Sequence, residues 1–277
     1  MTTRARARTS SHSRRLGARQ GFALMLVLWL IVVLGIITTS IVVGTREASA
    51  LSGNARARVV GRYAAESGVA AATAAIESAL NARADTLERQ RYLNQLDVAL
   101  PRRGETTIGD ASFAVTLVDV SARLDVNSAD EEALARFFSL FDPSAARATA
   151  GAIRRFIDGN AVTAMAGSQS ISRGSALKAA RTFRSLDELE RLPGASLGLL
   201  RAAAPYLTVD GDGKINRATA SDTVLVAAGG SLQDEPSRLL IVSRGWLRGH
   251  SLTHEIQAVY AIAGNQLTLV RWRERDL

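Results

Sequence analysis

Residues 20–45 read QGFALMLVLWLIVVLGIITTSIVVGT, 26 residues without a charge. An α-helix rises about 1.5 Å per residue, so about 20 apolar residues suffice to cross the hydrocarbon core of a bilayer. Helices buried in globular domains are apolar along a stripe, not all round. The stretch is therefore expected to be a membrane span. Trp29 falls inside it, where the indole N–H favours a partner or an interface. Residues 1–21 carry Arg4, Arg6, Arg8, Arg14, Arg15 and Arg19 and no acid. Positive charge ahead of a span keeps the N-terminus cytoplasmic, so the chain from about residue 46 is expected on the opposite side.

This placement changes the meaning of the overall charge. The 277 residues hold 34 Lys and Arg against 26 Asp and Glu, a net +8, with a pI near 10.8. Alone, those values suggest a protein that holds nucleic acid or an anionic surface. Six of the charges, however, belong to the first 21 residues, and without them the remainder carries +2. Aromatic residues make up only 5%, a poor supply of stacking platforms for single strands. The absence of Cys excludes disulfides, thiolate zinc sites and cysteine nucleophiles. The length allows one large domain or two modest ones.

Two processing schemes fit the N-terminal region. Ala48-Ser49-Ala50 has the small-x-small pattern of a secretory cleavage site. Against it, the apolar run exceeds the usual signal-peptide core of about 7–15 residues, and Arg46 and Glu47 interrupt the approach. The other site is Gly21–Phe22. A basic leader, then Gly, then Phe opening an apolar helix resembles the prepilin peptidase site of type IV pilins and type II secretion pseudopilins. That resemblance implies removal of the arginine arm, leaving a helix anchored at its own N-terminus. Phe22 or Leu51 as the mature first residue separates the two schemes.

Beyond the span, residues 46–95 contain no Pro and are rich in Ala, Arg and Glu. Val59, Val60, Tyr63, Ala64, Val69, Ala70, Ala74, Ile76 and Leu80 recur at helical spacing. One helix is expected over residues 22–80, about 90 Å long, with Ser52-Gly53-Asn54 as its weak point. Residues 112–120 alternate as a strand with Phe113, Val115 and Leu117 on one face. Ser128 and Glu131 have the spacing of a capping box, ahead of a helix with Ala133, Leu134, Phe137, Phe138 and Phe141 inward and an end at Pro143. A further helix is expected over 145–157, stopping at Asp158-Gly159-Asn160, then a Gly/Ser/Ala-rich loop over 159–178.

Ser185 and Glu188 form a second capping-box pattern, and Pro193-Gly194 a tight turn into a helix ending near Ala204. This is a helix–turn–helix of the helix-hairpin-helix kind. DNA-binding versions place backbone N–H groups of the turn on phosphates. Here the second helix offers only Arg201, and Asp187, Glu188 and Glu190 crowd the first, so a protein-packing role is expected. In residues 209–216, Asp210, Asp212 and Asn216 could supply oxygens to Ca²⁺, but the loop lacks the closing bidentate Glu, and a solvated Asp-Gly turn is the simpler reading. Residues 238–247, 252–262 and 267–272 read as sequential antiparallel strands. The second carries Leu252, His254, Ile256, Ala258, Tyr260 and Ile262 on one face. His250 and His254 are close enough in sequence to be considered as metal ligands, but no carboxylate constellation joins them, and they read as exposed strand residues. No nucleophile elbow or zinc-helix motif occurs, and no enzymatic site is expected.

The order of these parts resembles the minor pseudopilin K family of type II secretion (general secretion pathway protein K) over nearly the whole chain. The resemblance rests on GFALMLVLW at 21–29, LDVNSA at 124–129, FRSLDEL at 183–189, and PYLTV at 205–209 leading to GKIN at 213–216. It implies an α+β fold with a pilin-like long N-terminal helix on an antiparallel sheet and an inserted helical domain that contains the hairpin unit. The implied divisions are a leader at 1–21, a transmembrane part at 22–44, helix and first strand at 45–122, the insertion at 123–222, and C-terminal strands at 223–277. It further implies N-methylation of Phe22, an inner-membrane protein with a periplasmic body, and I- and J-type minor pseudopilins and prepilin peptidase as partners. No nucleic-acid partner and no cofactor are implied, apart from the weak Ca²⁺ candidates. Most pilins carry Glu four residues after that Phe, where this chain has Leu26. In the family that Glu pairs with the amine of the subunit above, so its absence implies a tip position that avoids an unpaired charge in lipid. Arg217-Ala218-Thr219 departs from the family, where a second Asn is usual. A membrane-anchored DNA receptor and a released periplasmic scaffold remain the alternatives.

Overall fold

A computed structural model describes residues 16–96, 104–166, 181–227 and 232–277; side chains at 16–23, 40–44, 46–48 and 159–166 are outside the description. Helix α1 spans Leu16–Asn81, and residues 52–54 are helical. The chain divides into two compact units between Arg56 and Ala57. In the first unit every described side chain from 24 to 39 except Val33 is exposed. Thr38 and Thr39 donate their hydroxyls back to the carbonyls of Leu34 and Gly35, at 2.7 and 2.8 Å. Among the described residues no helix is long and apolar enough to cross a membrane.

The second unit is α+β. Its main sheet has five antiparallel strands: β1 (Thr106–Ile108), β2 (Ala111–Asp119), β7 (Arg238–Leu247), β8 (Thr253–Ala263) and β9 (Gln266–Asp276), in that spatial order. Strands β2 and β7 are direct neighbours, with Leu117 opposite Ile241 and Phe113 opposite Gly245. Everything between them in sequence therefore leaves the sheet at Asp119 and returns at Arg238 without breaking it. Strand β9 extends to Asp276, four residues beyond the expected end, and β1 adds a short edge hairpin that sequence alternation did not reveal. A bulge at Val259/Tyr260 shifts the β8–β9 register, yet the expected face continues: Ile256 and Ala258 are buried in the α1-side core, and Tyr260 and Ile262 pack partly buried against it.

The later turns of α1 cover one sheet face. Their buried stripe is Ala57, Gly61, Ala64, Ala65, Gly68, Val69, Ile76 and Leu80. Val59 and Tyr63, expected inward, are 55% and 64% exposed. The reason is spacing between backbones. A Cβ at Gly61 would lie 3.1 Å from the Gly245 carbonyl oxygen, and one at Gly245 would collide with Ala65 N and Gly61 O. Only small residues fit, so the helix turns its Gly/Ala side inward and its larger side chains out. Helix α2 (Thr86–Asn94), capped by Asp85, closes the end of this core with Leu93 and Leu96.

The insertion has a core of its own. Helix α3 (Glu131–Ser139) is capped by Asp130, whose Oδ1 accepts from Ala133 N at 2.7 Å. The expected cap, Ser128, instead donates to the Asp125 carbonyl at 3.3 Å. Pro143 does not close α3; it opens α4 (Pro143–Ala166), with Asp142 as the capping carboxylate for Ser144 N and Ala145 N. Proline suits the first helical position because its missing N–H is unneeded there. Helix α4 passes through Gly159-Asn160 to Ala166, further than expected; residues 167–178 of the expected loop lie outside the described residues. Phe137, Phe138, Ile153, Phe183, Leu200 and Leu207 are buried together, and Phe156 stacks on Phe183 at 4.6 Å. Two-stranded parallel pairs, β3 (Leu124–Asp125) with β4 (Leu207–Thr208) and β5 (Ile215–Asn216) with β6 (Leu232–Gln233), fasten the ends of the insertion, with α6 (Asp222–Ala227) between.

Candidate functional site

The sequence points to three places: the N-terminal processing and anchoring region, the hairpin unit, and the Asp-Gly segment. Gly21 and Phe22 lie within α1, and their side chains fall outside the described residues. Leu26 is 55% exposed and Trp29 68%. In this first unit, exposed apolar side chains point in all directions around the helix, an arrangement that water alone does not favour.

The hairpin unit forms, with changes. Its first arm is a 3₁₀ segment, Leu186–Arg191, capped by Ser185 through Asp187 N, not through a Glu188 box. Gly194 takes a φ of 84°, which a side chain would resist. Ser196 then caps α5 (Leu197–Ala203), accepting from Leu199 N at 3.4 Å. Arg201 is engaged by Glu190 of the first arm at 3.2 Å, which holds its guanidinium pKa above the ordinary value. Leu189, Leu192, Leu199 and Leu200 face the insertion core. The unit thus turns its apolar side to protein and neutralises its single second-helix cation.

Asp210, Asp212 and Asn216 do not converge. Asp210 Oδ1 pairs with Arg271 and, at 2.9 Å, with Arg273. Asp212 Oδ1 accepts from Ser237 Oγ at 2.9 Å and Lys214 N at 3.2 Å. Asn216 is fully buried and donates to Asp119 Oδ2 at 2.8 Å and Asn94 Oδ1 at 2.9 Å, while its own Oδ1 accepts from Ala218 N. A carboxylate facing two guanidinium groups is already charge-compensated, and the three side chains point to three different partners. The residues do not fit a Ca²⁺ site, and among the described residues no cluster of three His, Asp or Glu is arranged for a metal. Asp212 and Lys214 are exposed, as the turn reading expects, but the segment is more than a turn. It is the polar joint between insertion and sheet, with Arg238 donating to the carbonyls of Asp210 and Gly211 at 2.6 Å.

Other organising residues were not evident in sequence. Asn127 holds two distant segments at once. Its amide nitrogen donates to Phe183 O at 3.1 Å and Val209 O at 3.0 Å, and its Oδ1 accepts from Phe183 N at 2.8 Å. One side chain thereby joins LDVN, FRS and PYLTV; the three motifs belong to one polar clamp, although no spacing rule links positions 56 and 82 residues apart. Asp119, 4% exposed, accepts from Ser121 N, Asn216 and Thr219. Burial pushes the Asp125 carboxyl above its ordinary value, against the Ser128 and Asn127 hydrogen bonds and the Arg238 charge, with Asp210 adding to the rise. Burial would likewise raise Glu255, but hydrogen bonds from Arg244, Gln257 and Arg275 outweigh it and hold the carboxyl below its ordinary value.

The histidines also differ from expectation. His250 lies in the β7–β8 turn, half-buried. His254 is 8% exposed and does have carboxylates beside it: Nδ1 is 2.8 Å from Asp276 Oδ1 and Nε2 3.3 Å from Glu274 Oε2. The β9 strand, distant in sequence, supplies them.

No family model and no curated protein matches the chain. Among solved structures, a chain of the GspK-GspI-GspJ complex from the enterotoxigenic Escherichia coli type 2 secretion system is similar to it, at 12% identity and a TM-score of 0.46, over 68% of this chain and 94% of that chain.

Proposed function

We propose that this chain is a minor pseudopilin-type subunit of a type II secretion system, without enzymatic activity, that helps initiate and cap a pseudopilus. The observation that carries the reading is the division of labour along α1. Its first part is a helix of exposed apolar side chains within an uncharged run of 26 residues. Its later part is the buried spine of an α+β body. The back-bonded hydroxyls of Thr38 and Thr39 support residence in lipid, because they leave no polar group seeking water. On this reading residues 22–44 cross the inner membrane and the body occupies the periplasm. Prepilin peptidase cuts between Gly21 and Phe22, and Phe22 is then N-methylated.

Leu26 supports a tip position by the argument from unpaired charge in lipid, and the helical insertion adds bulk to the body. Partners are I- and J-type minor pseudopilins, joined through their own first helices. The ion pair of Arg201 with Glu190 disfavours the DNA-receptor alternative, since duplex binding draws on several free cationic contacts.

The test is co-purification of the processed protein with other minor pseudopilins co-expressed in one membrane. A stable complex with Phe22 as the first residue is expected. Failure to recover any such complex, or salt-sensitive retention of duplex DNA instead, overturns the proposal.

A further inference from the structure

The back face of the sheet carries a set of arginines that the insertion leaves partly uncovered. On β9 these are Arg271, Arg273 and Arg275, and on β7 Arg244 stands opposite Glu255 of β8, which in turn stands opposite Arg275. Asp210 of the insertion pairs with Arg271 and Arg273, and Glu255 pairs with Arg244 and Arg275. Glu274, beside them on β9, is engaged on the α1 side by Arg62 at 3.3 Å and lies against His254. Four arginines less two carboxylates leave this face a surplus of two positive charges.

The two sets of pairs are built differently. Arg271 and Arg273 also donate to the Arg184 carbonyl, so they are committed to the joint with the insertion. Arg244 and Arg275 reach no insertion residue among the described residues. Arg244 engages Glu255 Oε2 through Nε alone, at 2.7 Å, and Arg275 engages Oε1 through Nε and Nη2, at 3.0 and 2.6 Å. The Glu255 side chain is 1% exposed, whereas those of Arg244 and Arg275 are 55% and 60% exposed. A buried carboxylate thus fixes two guanidinium groups from beneath. A guanidinium presents its N–H donors in one rigid plane. Held through Nε, Arg244 keeps both terminal nitrogens for an outside acceptor, and Arg275 keeps Nη1.

Beside this row opens a cleft of about 260 Å³, lined by Ser185 of the insertion and by Glu255, Gln257, Arg273, Glu274 and Arg275 of the sheet. Every lining residue is polar or charged. A carboxylate suits the row, because its two oxygens match the edge of a guanidinium plane. A nucleic-acid duplex draws on several free cations along its backbone, and an anionic lipid surface on clusters of about four to eight; neither is supplied here. We propose that the Arg244–Glu255–Arg275 row and the adjoining cleft are a docking surface for an acidic segment of a partner protein, whose Asp or Glu carboxylates pair with the outward edges of the two guanidinium groups. The surface goes beyond the assembly role proposed above and can fail while that role stands.

Fluorescence anisotropy of a labelled octaglutamate peptide, titrated with detergent-solubilised full-length protein, tests the surface. The arginines of residues 1–21 also attract such a peptide, so the readout is the difference between wild type and variants that share them. Arg244→Gln and Arg275→Gln are each expected to lower the affinity about tenfold, through loss of hydrogen bonds to a charged group. Arg91→Gln removes the same charge from an exposed position on α2 and should change it by less than about twofold. Arg244→Lys keeps the charge beside Glu255 but not the planar fork. It should fall between wild type and Arg244→Gln, and it carries the test should the Gln variants misfold. No loss in the variants of Arg244 and Arg275, or an equal loss in Arg91→Gln, overturns the inference. Equal losses for duplex DNA or phosphatidylglycerol vesicles in place of the peptide mark a general anion surface and overturn it as well.

Discussion

The two faces of the sheet are covered by different physics. On the α1 face the contact is one of shape: glycines and alanines bring helix and strand backbones together, and the residues behind them are aliphatic. On the opposite face the insertion is held by arginines of β7 and β9 reaching Asp210 and the carbonyls of residues 184, 210 and 211. Close packing is intolerant of added volume, whereas a polar joint is intolerant of lost partners. The first face therefore fixes a rigid unit, and the second attaches a separately cored body that can be loosened without dissolving the sheet.

The sharpest way to break that contrast is Gly245→Val. The new Cβ would meet helix backbone, which cannot rotate away as a side chain can. Overpacking here is expected to cost about 3 kcal/mol or more, seen as a large fall in melting temperature. Near-wild-type stability would mean the seam is wider than the structure places it. Asn127→Ala tests the other body. Three hydrogen bonds are lost and the main chain around Phe183 is left without its partner, for about 2 kcal/mol. Protease sensitivity should appear around residues 183–209 while sheet amides stay protected; global unfolding would show that the bodies are not separable. Asp210→Ala should have a smaller effect, about 1 kcal/mol, because Arg271 and Arg273 retain partial exposure and carbonyl partners.

The same contrast separates what sequence reveals from what it hides. The strands at 238–247 and 253–263, the α3 core of Phe137 and Phe138, and the hairpin turn at Gly194 follow from periodicity and turn chemistry, which are local. The helix face was legible only as a period. Its phase was misread because Val59 and Tyr63 have apolar side-chain surface to bury and glycine has none, while close approach selects for glycine. The polar joint was not legible. Asp210 reads as a turn or a cation ligand until β9 is paired, since its two arginines lie 61 and 63 residues away. His254 reads as exposed for the same reason. The cap of α3 was misplaced by two residues because Ser128 and Asp130 are both competent, and only backbone geometry chooses.

The smallest predicted effects come from two buried carboxyls on the back face, and they run in opposite directions with pH. Glu255 has its carboxyl held below the ordinary value of 4.5 by Arg244, Gln257 and Arg275. Its contribution to stability is present above 4.5 and is lost as pH falls through the lower folded value, since the unfolded chain takes the proton first. Asp125 is held above its ordinary 3.8, mainly by burial. Its ionised form costs stability at neutral pH, and that cost disappears as pH falls through the raised folded value toward 3.8. Asp125→Asn keeps an acceptor for Asn127 N, 3.1 Å away, and removes the charge beside Asp210. The variant is expected to melt slightly above wild type at neutral pH and to lose that advantage in acid. Glu255→Gln should melt below wild type at neutral pH, with the gap closing in acid. Melting curves of both variants at neutral pH and below 3.8 suffice: two gaps of the same sign at neutral pH would mean that Arg238 and the Ser128 and Asn127 hydrogen bonds, not burial, govern Asp125.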